Sequence, residues 1–188
     1  MSKLIFLYSS MNAGKSTALL QVAHNYRSLH QNVLLFTAEV DNRYGIGRVT
    51  SRLGLQEPAE TFRPETDMAK EIRSKRTPKL GCVLVDEAQF LTGQQVRDLH
   101  AFAHTEGVPV MCYGLRTDFM GRPFEGASWL LALADRLDTL RTLCPCGKAA
   151  SMTIRIDEKG RRVREGQVVS IGGEDQYRAV CGNCYYLD

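Results

Sequence analysis

KLIFLYSSMNAGKST, from Lys3 to Thr17, changes character twice. Leu4-Ile5-Phe6-Leu7-Tyr8 is an apolar run of the length of a buried strand. Ser9, Ser10, Met11, Asn12, Ala13 and Gly14 follow as a small, polar loop, and Gly14-Lys15-Ser16-Thr17 opens a helical pattern. Strand, tight loop and helix start is the context of a phosphate-binding loop of the form G-x-x-x-x-G-K-[ST]. Here that loop spans Ser9 to Ser16, with serine in place of the first glycine. The N–H groups of a helix N-terminus point outward, and the helix dipole favours an anion there. Gly14 accepts unusual backbone angles, Lys15 reaches the outer phosphates, and the Ser16 hydroxyl suits Mg²⁺. Ser9 carries a Cβ, which makes a positive φ more costly than for glycine. The competing reading, a GKS triplet at an ordinary helix start, is disfavoured by the strand before it.

Around this motif, 188 residues leave room for one domain, or for a domain with a small appendage, and for a sizeable core. A composition of 44% hydrophobic and 24% charged residues is that of a soluble globular protein. A net charge of +3 is too mild to argue for nucleic acid or a membrane surface. No apolar run reaches the ~18 residues of a membrane span, and no separate signal peptide is evident, so the cytoplasm is the expected compartment. Of the cysteines, Cys82 and Cys112 lie in apolar strand-like runs, where buried thiols are common. Cys144, Cys146, Cys181 and Cys184 gather in two pairs, for which metal binding is a better reading than disulfides when no export signal is seen.

After the loop, Ala18, Leu19, Val22, Ala23 and Tyr26 recur at helical spacing, and Asn32 to Thr37 is a second buried strand. Strand, helix and strand at this spacing form a βαβ unit of a parallel sheet with a right-handed crossover. Glu39 to Leu55, with three glycines and with Asp41, Arg43, Arg48 and Arg52, reads as a surface loop beyond the carboxyl end of a strand. Open parallel sheets bind ligands at that edge, although composition alone fits an ordinary solvated loop about as well. Thr66 to Lys75 is a modest amphipathic helix. Leu80 to Val85 is a third strand, and it runs into Asp86-Glu87. An apolar strand ending in an acid is the second half of a P-loop signature: Asp86 suits Mg²⁺, and Glu87 suits general-base work.

Thr92 is placed to cap a helix through about His104. His100 and His104 are one turn apart, but the sequence offers no third metal ligand near them, so a surface helix is the better reading. Val108 to Tyr113 is a fourth strand, followed by a loop from Gly114 to Phe119. Trp129 to Ala134 reads as a helix and Leu137 to Leu143 as a strand, which closes a first domain of residues 1–143. In residues 144–188 the cysteine pairs bracket two strand-like runs, Ser151 to Ile156 and Gln167 to Ile171, with a basic turn at Gly160 between them. That is the pattern of a zinc ribbon with four thiolate ligands. Disulfides or free thiols are the alternative.

SSMNAGKST, DNRYGIGRVTSRLGL, VDEAQF, GLRTDFMGRPF, the paired cysteines and IGGEDQYRAVC stand in an order that resembles the thymidine kinases of the bacterial and human cytosolic type, over essentially the whole chain. The resemblance implies an α/β fold: a RecA-like P-loop core with a mostly parallel sheet, plus a small C-terminal zinc-ribbon-like domain with a lasso loop. It implies transfer of the γ-phosphoryl group of ATP to the 5′-hydroxyl of thymidine, giving dTMP, with Mg²⁺ and a structural Zn²⁺ as cofactors. By position, Glu87 matches the family's general base. Ser9 to Thr17, with Lys15 on the phosphates and Ser16 on Mg²⁺, match the ATP site together with Asp86 and Arg43. Met11, Phe90, Leu115, Phe119 and Phe124 match the positions around the nucleoside. Ile171, Gly172, Gly173 and Tyr177 match the lasso whose backbone reads the thymine edge. Cys144, Cys146, Cys181 and Cys184 match the zinc ligands.

A homotetramer is implied as well, with no membrane and no nucleic acid as partner. Two positions depart from the family pattern: Ser9, where glycine is usual, and Cys144-Pro145-Cys146, one residue shorter than C-x-x-C. The chemistry agrees from below. Phosphoryl transfer needs positioning and charge neutralisation more than covalent catalysis, and a flat base wants aromatic walls. A rival of another class is a RecA-like ATPase that grips nucleic-acid phosphates with Arg161, Arg162 and Arg164. Among kinases, deoxyuridine is the rival substrate.

Overall fold

The computed structural model describes residues 3–41, 45–168 and 176–187. β1 (Leu4–Ser9) runs through the small loop into α1 (Lys15–Ser28), and β2 (Asn32–Ala38) follows, as the sequence predicts. Next come β3 (Arg48–Thr50), β4 (Gln56–Pro58), β5 (Glu60–Phe62), α2 (Met68–Lys75) and β6 (Leu80–Val85). A single 3-10 turn, Ala88–Phe90, leads to α3 (Gly93–Glu106), β7 (Val110–Leu115), α4 (Glu125–Leu133) and β8 (Arg136–Thr139). The C-terminal part holds β9 (Met152–Ile156), β10 (Arg162–Val163), β11 (Tyr177–Val180) and α5 (Gly182–Leu187).

Six strands lie in the order β5-β2-β6-β7-β1-β8, and every pairing among them is parallel. β1 and β2 share this sheet without touching, because β6 and β7 stand between them. The crossover through α1 therefore spans two strands, and the carboxyl ends of β1 and β6 come to flank the end of β7. The period-2 alternation of side chains divides the sheet's two faces. Cys82 and Leu84 of β6 pack with Leu19, Leu20 and Ala23 of α1. Val83 and Val85 pack with Phe6, Phe36 and the inner residues of α2, α3 and α4, such as Ile72, Leu99 and Leu130. The result is one helix on one face and three on the other, the layered α/β arrangement that near-continuous apolar strands require.

Thr92 caps α3 reciprocally: its hydroxyl accepts the Gln95 N–H at 3.2 Å, and the Gln95 side chain accepts the Thr92 N–H at 3.0 Å. No helix among the described residues is long and apolar enough to cross a membrane.

Several elements differ from the sequence expectation. The Glu39 to Leu55 stretch is not loop throughout, since β3 pairs with β4 as an antiparallel hairpin. β5 adds a parallel edge strand beside β2 that its three residues between prolines did not advertise. α4 begins at Glu125 rather than Trp129, and β8 ends at Thr139 rather than Leu143. In the C-terminal part β9 is where it was expected, but its partners are β10 and β11, in the order β10-β9-β11. No strand covers the described residues 167–168.

Candidate active site

The loop after β1 is shaped by two left-handed residues, Asn12 at φ 65° and Gly14 at φ 79°. Asparagine visits that region more readily than most side chains. Ser9 does not have a positive φ: it is the last residue of β1, so the Cβ cost anticipated there does not arise. The buried Lys15 ammonium donates to Ser9 Oγ at 3.3 Å and to the Ser10 carbonyl at 3.2 Å. Ser9 thus helps seat the lysine of the loop.

Two strands away, Asp86 is buried at the end of β6 and accepts the Ser16 hydroxyl at 3.0 Å. Burial, and then the charge of Glu87, push its carboxyl above the ordinary value. The Ser16 hydroxyl, the Glu87 N–H and the Lys15 charge oppose that rise.

Glu87 has φ 52°, a left-handed conformation rare for a glutamate. Its carboxylate accepts a hydrogen bond from Gln89 Nε2, and Gln89 Oε1 accepts the Leu115 N–H at 3.1 Å. Gln89 is itself 2% exposed, so it links Glu87 rigidly to the end of β7. Two glycines make room for that turn. A Cβ on Gly114 would stand 2.7 Å from Gln89 Oε1, and one on Gly126 would stand 2.6 Å from the carbonyl oxygens of Ala88 and Leu91.

Met11 to Ala18, Thr50 to Leu53, Glu87 and Leu140 to Thr142 line a cleft of about 700 Å³. The hairpin forms one wall, and Arg52 donates to the Asn12 side chain across it. Ser10 Oγ in the loop and Thr50 Oγ1 in the cleft wall are buried without a hydrogen-bond partner among the described residues.

Beside the cleft, Asp118 Oδ1 accepts the N–H groups of Met120 and Arg122, each at 2.9 Å, and folds residues 116–124 into a turn. That turn brings Phe124 edge-on to Phe90, with centroids 5.7 Å apart, and Phe119 to Tyr177, with centroids 6.5 Å apart. The Met11 N–H donates to Thr153 Oγ1 at 3.1 Å, and Asn12 Nδ2 donates to the Tyr177 carbonyl at 3.3 Å. The loop after β1 and the C-terminal sheet therefore meet directly. Arg43, Ile171, Gly172 and Gly173 lie outside the described residues.

The four C-terminal thiols also converge: Cys144, Cys146, Cys181 and Cys184 have all their Sγ atoms within 4.8 Å of one another. Cys146 and Cys181 stand 3.6 Å apart, well beyond the ~2.05 Å of a disulfide and close to the ~3.8 Å edge of a tetrahedron of Zn–S bonds. Hydrogen bonding from the Cys146 N–H leads the effects that lower the Cys144 thiol to about 6, whereas hydrogen bonding with Cys144, Cys146 and Cys181 raises that of Cys184. The short C-x-C pair thus reaches the same centre as the C-x-x-C pair, and the donor set fits zinc.

A family model described as thymidine kinase matches residues 2–185. The chain belongs to the thymidine kinase family. A thymidine kinase of Chromobacterium violaceum is 52% identical over 188 residues, 100% of both chains. Those of Idiomarina loihiensis and Haemophilus influenzae are each 50% identical over 182 residues, covering 96% of this chain and 94% of theirs.

In this thymidine kinase family member, sequence reasoning passed over Gln89, although it stands inside the VDEAQF motif two residues after Glu87. It also passed over Thr153, which touches the loop only through the fold, and over Arg141 and Thr142, which no motif marks. The basic turn of the rival nucleic-acid reading is engaged internally. Arg161 pairs with Asp157 at 2.8 Å, and the Arg162 guanidinium lies over the Tyr185 ring at 4.3 Å.

Proposed function

We propose that this chain transfers the γ-phosphoryl group of ATP to the 5′-hydroxyl of thymidine, giving dTMP and ADP. The observation that carries this reading is Glu87, a carboxylate fixed by Gln89 and lining the same cleft as Gly14, Lys15 and Ser16. Ser9 to Thr17 would cradle the ATP phosphates through backbone N–H groups at the start of α1, with Lys15 neutralising charge on the outer ones. Ser16 and Asp86, an oxygen-donor pair at the foot of the loop, fit Mg²⁺. When bound, that ion would offset charge on the phosphate oxygens. Glu87 takes the proton of the 5′-hydroxyl as that oxygen bonds to phosphorus and the bond from phosphorus to the departing ADP oxygen breaks.

Met11, Phe90, Leu115, Phe119, Phe124 and Tyr177 are assigned to the walls of the thymidine site, which is supported by the two edge-on aromatic pairs. Arg43 near the transferring phosphate, and Ile171, Gly172 and Gly173 on the thymine edge, rest on the resemblance alone. So does the homotetramer, whereas a cytoplasmic location is the expectation from the sequence. The division into residues 1–143 and 144–188 is supported by the separate cluster of Cys144, Ile154, Val180, Cys181 and Tyr185. In that second unit the four cysteines would hold a structural Zn²⁺.

Glu87→Gln tests the assignment. Retained ATP binding with kcat for thymidine lowered about 100-fold or more is the expected outcome. Near wild-type turnover in a folded variant would remove Glu87 from the role of base.

A further inference from the structure

At the end of the sheet opposite the loop, folding supplies the ligand that the sequence did not show near His100 and His104. Asp135, between α4 and β8, points its carboxylate at both rings. His104 Nε2 stands 3.0 and 3.1 Å from its two oxygens, and His100 Nε2 stands 3.9 Å from Oδ1. The donor atoms of all three residues lie within 4.8 Å of one another. We infer that His100, His104 and Asp135 form a second metal site, one for a divalent transition-metal ion of the zinc class, separate from the four cysteines.

Three features support this over a plain surface ion pair. First, N and O ligands at ~2.0–2.1 Å from a tetrahedral ion stand about 3.3–3.4 Å apart, a value the observed separations bracket. Second, Asp135 is held from behind. Its Oδ2 accepts the Leu4 N–H at 2.8 Å, and its own N–H donates to the Leu4 carbonyl at 2.9 Å. An outer hydrogen bond of this kind orients a ligating carboxylate and leaves Oδ1 facing the histidines. Third, the side chains are 34%, 43% and 24% exposed for His100, His104 and Asp135, so an ion can enter and water can take the fourth position.

Two imidazoles and a carboxylate suit Zn²⁺, Co²⁺, Ni²⁺ or Cu²⁺ rather than Mg²⁺ or Ca²⁺. The ion would pin the last turns of α3 to the strand that leads into the phosphate loop, and so would stabilise the folded chain by mass action.

The test is a calorimetric titration of Zn²⁺ into full-length protein that already carries one equivalent on its cysteines. The wild type is expected to take up one further equivalent with a micromolar Kd and to gain several degrees in Tm. His100→Ala/His104→Ala, at partly exposed positions outside the proposed active site, should lose that equivalent while keeping the cysteine-bound zinc and its turnover. Asp135→Asn should weaken the site at least about tenfold. A wild type that takes up no second equivalent at millimolar Zn²⁺, or a double variant that binds it equally well, overturns the inference.

Discussion

Gln89 carries two bonds with one side chain, and each has a separate consequence when it is removed. Its amide N–H orients Glu87, and its carbonyl satisfies the buried Leu115 N–H at 3.1 Å. Gln89→Ala is expected to lower kcat about tenfold or more with little change in the KM for ATP, because Glu87, the proposed base, loses its orientation while the loop is untouched. It should also destabilise the fold by about 1–3 kcal/mol, since a buried donor is left unpaired. Gln89→Glu tests the electrostatic part: it keeps an acceptor for Leu115 but buries a further carboxylate against Glu87, so kcat and stability both fall further than in Gln89→Ala. Equal kcat in both variants would reduce Gln89 to a structural role. Ser9 makes a related point: the residue that departs from the motif sits in extended backbone, and the left-handed turn falls on Asn12 instead.

Among the elements, the Ala88–Phe90 turn is clamped between β7 and the first residues of α4 through two close backbone approaches. Gly126→Ala places a Cβ 2.6 Å from two carbonyl oxygens that cannot swing aside as a side chain would. A loss of about 1–3 kcal/mol in a denaturant titration is expected, together with a fall in kcat as Glu87 and Phe90 shift. Unchanged stability would show that α4 docks more loosely than the geometry states. β1, β6 and α3 were legible in the sequence because each carries its own signal: an apolar run of strand length, or a cap with helical spacing. β5 and the β3–β4 hairpin were not, because three-residue strands are fixed by the neighbour they pair with rather than by any period of their own. The site divides along the same line. Glu87, Asp86 and Lys15 belong to contiguous motifs, whereas the bond from Met11 to Thr153 and the approach of Asp135 to His104 join residues 142 and 31 positions apart.

For the whole molecule, the cysteine cluster and the loop after β1 are parts of one mechanical unit. The small C-terminal core consists of Cys144, Ile154, Val180, Cys181 and Tyr185, so two of its five buried members are thiols. A core that small leaves a three-stranded sheet dependent on a cross-link, which a four-thiolate zinc would supply. From that sheet, Thr153 and the Tyr177 carbonyl bind the loop at Met11 and Asn12, while Tyr185 Oη donates to the Phe119 carbonyl at 3.3 Å. Loss of zinc should therefore be felt at the proposed thymidine site before it is felt in the six-stranded sheet, whose own clusters share no residue with the small one. Cys181→Ser is expected to abolish stoichiometric zinc and to raise the KM for thymidine about tenfold or more, as Tyr177 and Phe119 lose their fixed separation. Far-UV circular dichroism should change little, because the larger sheet and α1 to α4 stay folded. A variant that loses its zinc yet keeps a wild-type KM would break the link between the two parts, and so would one whose main sheet melts together with the small lobe.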